Sequence, residues 1–287
     1  MPRLAEIQGR IASMSELLNI MSAMRSLAGM RVQEAQRALP GIRRYAESME
    51  SGIAGALMVM QQKAPEPHVR AGRRALIVCA AEHGFVAGFN ERLAEAVEAE
   101  LKSGDLLFVA GSRGASLLFE RGRKVAWTAP MATRLAAAPG TAEQLAKVLY
   151  ARIAGGEVGR VEIMFSRCRQ GANPAIERRL LLPLDMASFG RGLTHQAPLH
   201  NLEPEALFEK LAAEYVFALL TEAAVESIAS ENAARFAAMQ SACDNVSKKL
   251  EQLRRHADQA RQEEITIELA DLITGAEAIG TKGLLPR

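Results

Sequence analysis

Aromatic residues make up only 5% of the 287 residues, and cysteine occurs three times. A chain that is 49% hydrophobic with so few rings must build its core from aliphatic side chains. Much of that apolar fraction is alanine, which favours helix over sheet. Cys79, Cys168 and Cys243 form an odd set with no paired spacing. This excludes a disulfide framework and a thiolate metal site, and reads as buried thiols in a reducing compartment. His68, His83, His195, His200 and His256 stand in no ligand-like spacing with cysteines or carboxylates, so no metal site is expected. No Ser/His/Asp or Cys/His set suggests itself for catalysis. The start of the chain lacks the apolar core of a signal peptide and the Arg/Ser-rich character of a transit peptide. No apolar run is long enough for a membrane span, which leads us to expect a soluble or peripheral protein. The net charge of +2 is spread over scattered Lys and Arg, without the basic face of a nucleic-acid binder.

Proline is also missing from one long stretch: none occurs between Pro204 and Pro286. Pro204 suits the first turn of a helix, where its absent N–H would be unpaired anyway. Phe208, Leu211, Tyr215, Ala218, Val225, Ala229, Phe236, Met239, Cys243, Val246, Leu250, Leu253, Ala257 and Ala260 follow steps of three and four, the spacing of a coiled-coil seam. Glu222, Asn232 and Glu264 are polar breaks in it. Beyond Ala260 the register shifts to Ile265, Leu269, Leu272, Ala276 and Ile279, which predicts a change of partner. Fully helical, this stretch is roughly 110 Å long and needs support outside any small domain.

The opening of the chain repeats the pattern. Leu4, Ile7, Ile11, Met14, Leu18, Met21, Ala28, Val32, Ala35, Leu39, Ile42, Ala46, Met49, Ile53, Ala56 and Met60 predict a second long helix, with Arg25 as the one charge on its seam. Arg25 must snorkel to solvent or meet a carboxylate. Pro40-Gly41 lies off the seam and predicts a kink rather than an end. The two terminal helices are expected to run antiparallel. The C-terminal one should overhang by roughly 25 Å and need an external sleeve for its apolar stripe.

Between them, Gln61–Arg74 is a polar linker. Ala75–Ala81 and Asp105–Gly111 read as buried strands, and KVAWTA as a weaker one. Phe89–Gly104 reads as a helix, SRGASLLFERG as a short helix, and Thr141–Gly156 as a helix capped by Thr141. Arg160–Cys168 and Ile176–Leu184 form a hairpin around QGANP. The fold class is therefore α/β: a long antiparallel coiled coil of N- and C-terminal helices around a small, mainly parallel, Rossmann-like central domain. The expected division is a helix at 1–62, a linker at 63–74, the α/β domain at 75–200, a helix at 201–279 and a tail at 280–287. HGFVAGFN (His83–Asn90) sits between strand and helix, where such folds bind phosphate. It lacks the Gly-Lys-Ser/Thr of a P-loop and the spacing of G-x-G-x-x-G, and reads as a tight turn without ligand.

The last stretch also resembles a known family. SENAARFAAMQSACDNVSKKLEQL (Ser230–Leu253), ARQEEITIELADLITGAEAI (Ala260–Ile279) and LEP (Leu202–Pro204) are similar to the C-terminal part of the gamma subunit of F-type ATP synthases. RIAS (Arg10–Ser13), AMRSLA (Ala23–Ala28) and RRYAESM (Arg43–Met49) resemble its N-terminal helix, and HGFVAGFN its glycine-rich segment. MSELLNIMS (Met14–Ser22) replaces the usual basic, Thr-rich stretch. Ala257-Asp258 replaces the aromatic-Asn pair, Glu263-Glu264 the small residues after Gln262, and TKGLLPR extends the end. These departures fit a divergent or alternate set of rotary ATPase genes.

The resemblance implies a non-catalytic central rotor shaft without cofactor or nucleotide of its own. Its partners would be a hexamer of three alpha and three beta subunits, the epsilon subunit and the membrane c ring, with H⁺ or Na⁺ as the coupling ion. It would lie peripherally on the cytoplasmic face of a bacterial inner membrane. It places Arg261, Gln262 and Thr266 against a beta-subunit loop and Glu203 on the foot facing the c ring, while Arg25 and Asn232 are the polar seam residues. Two other readings stand beside it: a coiled-coil signalling scaffold with a receiver-like domain, for which only Glu82 and Asp105 offer acidic residues near strand ends, and a nucleotide-dependent enzyme using HGFVAGFN.

Overall fold

A computed structural model describes residues 2–60, 72–168, 174–189 and 199–281. Most of the interdomain linker, His68, His195, most of the QGANP turn and the last six tail residues lie outside the described residues, as do the side chains of Ala276 and Ile279. The chain divides into two compact units: Leu27–Ala238, and Met1–Ser26 with Met239–Arg287.

Among the described residues twelve elements follow in order. The first helix, α1, is Pro2–Val59, unbroken through Pro40. Then come β1 Arg73–Cys79, α2 Phe89–Glu100, β2 Leu106–Ala110, α3 Ser112–Glu120 and β3 Val125–Ala129. A 3₁₀ turn at Leu135–Ala137 leads into α4 Ala138–Ala154, followed by the hairpin β4 Val158–Arg167 and β5 Ala175–Leu182. A short helix α5, Met186–Phe189, precedes α6, Pro204–Thr281, which is 78 residues long.

In the unit Leu27–Ala238 the five strands are ordered β3-β2-β1-β4-β5, all parallel except the antiparallel β4–β5 pair. Successive residues of a strand point to opposite faces, and the core divides accordingly. Leu76, Val78, Leu107, Val109 and Met164 pack on Leu93, Ala94 and Val97 of α2 and Leu118 of α3. Ala75, Ile77, Cys79, Phe108, Ile163 and Phe165 pack on the other face with α4 and with the α1 and α6 segments of this unit. Residues 218–232 of α6 are buried without a break, so here the helix is covered all round rather than along one seam. Phe236 departs from the expected seam and is 41% exposed, one edge of its ring lying 3.4 Å from where a Cβ on Gly29 would stand.

Several bounds differ from expectation: β1 begins at Arg73, inside the expected linker, α1 ends at Val59, and α2 and α4 are shifted. The helix expected to start at Thr141 starts at Ala138, because the 3₁₀ turn and Pro139 in its first turn begin the winding earlier; Thr141 is a buried interior residue, not a cap. Helix α2 stops at Glu100, before the Leu101–Gly104 turn.

In the other unit, seam residues Ile7, Ile11, Met14, Leu18 and Met21 of α1 are half-buried, and Met239, Cys243, Leu250 and Leu253 of α6 are buried. Ser22 contacts Cys243, and Leu4 and Ala260 line one groove, so the two segments run antiparallel.

Candidate functional site

The C-terminal ends of the parallel strands are where open α/β sheets take ligands. Here protein groups fill that edge. The carboxylate of Glu82, just past β1, accepts hydrogen bonds from Ser112 N–H (3.0 Å), the Ser112 hydroxyl (2.7 Å) and Met131 N–H (2.8 Å). It therefore occupies the helix N-terminus of α3, where a phosphate would be held. Burial pushes this carboxyl up, but the hydrogen bonds from Ser112 and Met131 outweigh it and hold it below its ordinary value.

Helix α6 closes the same edge: Ser227 donates to Cys79 O at 2.9 Å and Ser230 to Ser166 O at 2.8 Å. Arg235 donates to Glu231 at 2.6 Å and reaches Gly84 O in the HGFVAGFN turn at 3.4 Å. Close packing leaves no room for a side chain at Gly111 or Gly114, where a Cβ would come within 2.4 Å of Ala80 O and 2.1 Å of Ala80 Cβ respectively. The other candidate acid of a receiver-like site, Asp105, is tied to Arg74 at 2.5 Å and to Lys102 N–H at 2.7 Å. Burial drives the Cys79 thiol up to about 12, so it stays a neutral core residue.

The polar seam residues have definite partners. Arg25 donates to the side-chain carbonyl of Gln240 at 2.8 Å, and Gln240 in turn donates to Asp244 at 3.0 Å. Of the two expected outcomes, solvent or a carboxylate, neither is met directly: Arg25 meets an amide that relays to a carboxylate. Asn232 is 2% exposed; its amide donates to Ile228 O of its own helix (2.8 Å) and accepts from Arg235 (3.1 Å). Its needs are met within α6 rather than across the seam.

Arg261, Gln262 and Thr266 are all exposed. The Thr266 hydroxyl donates to Gln262 O at 2.8 Å, so toward a neighbour it can only accept. Leu4 of α1 lines a groove of about 360 Å³ with Ala260, Glu263, Glu264, Ile267, Glu268 and Asp271 of α6. None of the three polar residues lines it, whereas Glu263 and Glu264 both do. Ile265, Leu269 and Leu272, at i, i+4 and i+7, share a separate face and are 49%, 54% and 70% exposed. The register shift is therefore a real change of face. Glu203 is exposed; its carbonyl accepts from Leu207 N–H, and it lines a cavity of about 370 Å³ with Val59, Met60, Pro204 and Glu205.

The ATP synthase family matches residues 3–279. The chain belongs to the gamma family of F-type ATP synthases. Membership makes it a central rotor shaft. Solved structures of similar fold come from the same machines. A chain of the Euglena gracilis mitochondrial ATP synthase, in an assembly of OSCP, F1 and c-ring, has a TM-score of 0.65 at 13% identity and covers 100% of this chain and 97% of its own. A chain of the Tetrahymena thermophila mitochondrial ATP synthase central stalk and c-ring has a TM-score of 0.58 at 19% identity, over 78% of this chain and 99% of its own. A chain of the Euglena gracilis rotor in rotational state 1 scores 0.58 at 12% identity over 92% and 99%. Among the described residues no helix is long and apolar enough to cross a membrane.

Sequence reasoning located the two long helices and the HGFVAGFN turn between β1 and α2. It missed Arg43, Arg167, Glu177, Arg179 and Glu226, which are joined in one charged network with Glu222. The available signal was a pair of glutamates at i and i+4, Glu222 and Glu226, inside a continuously buried stretch of α6.

Proposed function

We propose that this shaft couples ion flow through a ring of membrane c subunits to ATP synthesis or hydrolysis in a hexamer of three alpha and three beta subunits. The hexamer holds the nucleotides, and this chain supplies no catalytic residue. The α/β body, at 75–200, is the foot on the c ring beside epsilon, with Glu203 facing the ring. The assembly sits on the cytoplasmic face of a bacterial inner membrane. The C-terminal part of α6 enters the hexamer, where Arg261, Gln262 and Thr266 meet a beta-subunit loop.

One observation carries this reading: the exposed apolar face at Ile265, Leu269 and Leu272, on a helix that continues without interruption to Thr281. Such a stripe needs a covering surface, and a hexamer bore supplies one. The test is affinity purification of the tagged chain from its host, followed by mass spectrometry. Alpha, beta, epsilon and c subunits should co-purify in stoichiometric amounts; recovery without alpha and beta would refute the assignment.

A further inference from the structure

Six side chains in the unit Leu27–Ala238 form a closed ring of alternating charge. Arg43 of α1 binds Glu222 at 2.9 Å and Glu226 at 2.5 Å, both on α6. Glu226 is 3.5 Å from Arg167 of β4, which binds Glu177 of β5 at 2.8 Å. Glu177 binds Arg179 of the same strand at 2.8 Å, and Arg179 closes the ring on Glu222 at 2.6 Å. The ring is held from outside as well. Cys168 N–H donates to Glu226, and the Arg179 guanidinium lies 5.4 Å from the centre of the Phe165 ring. Glu222 and Glu226 are almost wholly buried, while the arginines reach the surface in part.

The ring lies where the sheet meets both long helices. The apolar contact at that junction mixes small side chains, Ala218, Ala223, Ala224 and Ala229 on α6 and Ala35 and Ala46 on α1, with larger ones such as Leu39, Leu220 and Ile228. Its alanine patches bury area but have few projections to interlock, so apolar packing there is non-directional and resists separation better than sliding. Charge-assisted hydrogen bonds between fixed guanidinium and carboxylate groups are directional. Sliding would strip a buried carboxylate of its partners, which is strongly unfavourable.

We propose that this ring is the torque-bearing joint of the rotor: it locks the α/β body to α1 and α6, so that the body turns with the helices instead of slipping against them. The six residues are positioning residues, acting through the rigidity of the junction. The inference rests on the rotor reading above, in which the body meets the c ring and the helices meet the hexamer.

Slip at this joint has its own signature. The hexamer still turns the helices and hydrolyses ATP, while the c ring is driven less. The experiment uses the whole complex in membrane vesicles, carrying Glu222→Gln or Arg43→Lys in this chain, and reads ATP hydrolysis, ATP-driven ion uptake and subunit content together. Glu222→Gln should keep the subunits and most hydrolysis but lose most uptake per ATP, with the loss growing as the opposing ion gradient is raised. Arg43→Lys keeps the charge with fewer bonds and should fall between it and the wild type. If Glu222→Gln fails to assemble, Arg43→Lys decides by the same ratio. An unchanged ratio of uptake to hydrolysis in a variant that assembles, or loss of subunits in both variants, would overturn the joint and leave the ring a stabiliser of the fold. Failure of the wild-type chain to co-purify with hexamer and c ring would instead remove the rotor reading, and the joint with it.

Discussion

Glu222 is pulled in two directions. Burial pushes its carboxyl up, but hydrogen bonds from Arg179 and Arg43 prevail and hold it below the ordinary value of 4.5. The stability it contributes is therefore complete above pH 4.5 and is lost as pH falls through the lowered value. One turn on, Glu226 behaves oppositely. Burial outweighs the attraction of Arg43 and raises its carboxyl, so its share of stability is present at acid pH and is lost as pH rises through the raised value. Replacing Glu222 with Gln should flatten the fall in thermal stability on acidification below about pH 4.5, whereas Glu226→Gln should remove a gain in stability that acidification brings above about pH 4.5. Melting curves of the two variants and the wild type across both ranges check the signs. Another residue-scale expectation concerns Gly114. Its hydrogen stands where a methyl group would lie 2.1 Å from Ala80 Cβ, between α3 and the end of β1. Gly114→Ala should destabilise the chain by about 1–3 kcal/mol, since one of two packed backbones must move; urea unfolding measures it.

At the scale of the element, long periodicity was the most legible signal. The step pattern of α1 survives intact: none of its seam residues from Leu4 to Met60 is exposed. Such a run is readable because each added turn repeats the same constraint. The pattern of α6 was legible only in part. Where the sheet wraps residues 218–232, burial extends round the whole helix, and the seam loses its meaning. Helix starts were less readable, because the Thr141 cap signal is local and was overridden by the turn before it. Of the charged ring only the Glu222 and Glu226 pair was legible, because its members are spread over four elements that only the fold brings together. The shifted register at Ile265, Leu269 and Leu272 did carry over, as a face of its own. That face predicts behaviour: the isolated chain should self-associate, and the triple change Ile265→Ser, Leu269→Ser, Leu272→Ser should make it monodisperse. Because all three side chains are exposed, melting temperature should stay within the small range usual for surface changes, about ±0.5 kcal/mol in stability. Light scattering and calorimetry on the same samples test both parts.

At the scale of the whole molecule, the chain makes its effect through surfaces it offers to other subunits, and the polar group at the tip is the one whose chemistry can be stated most closely. Gln262 and Thr266 lie one turn apart, with Arg261 beside them, and all three are exposed. Glu263 and Glu264, which would repel an acidic loop, line the groove beside Leu4 instead. That leaves an exposed guanidinium and amide able to donate to acceptors on the beta-subunit loop proposed above. The Thr266 hydroxyl, already donating to Gln262 O, can only accept. The contribution of the three should accordingly be unequal. If the proposed contact is a charge-assisted bond to a carboxylate, Arg261→Ala should cost about 1.5–3 kcal/mol, enough to change coupling rates by roughly an order of magnitude or more. Gln262→Ala should have a smaller effect, and Thr266→Ala the least, because its hydroxyl is partly spent on its own helix. ATP hydrolysis and ATP-driven ion uptake by assembled complexes carrying each change measure the order. Equal, wild-type values in all three would show the tip to be a passive bearing. A Thr266→Ala defect as large as that of Arg261→Ala would show that the hydroxyl turns from Gln262 toward the partner in the assembled machine.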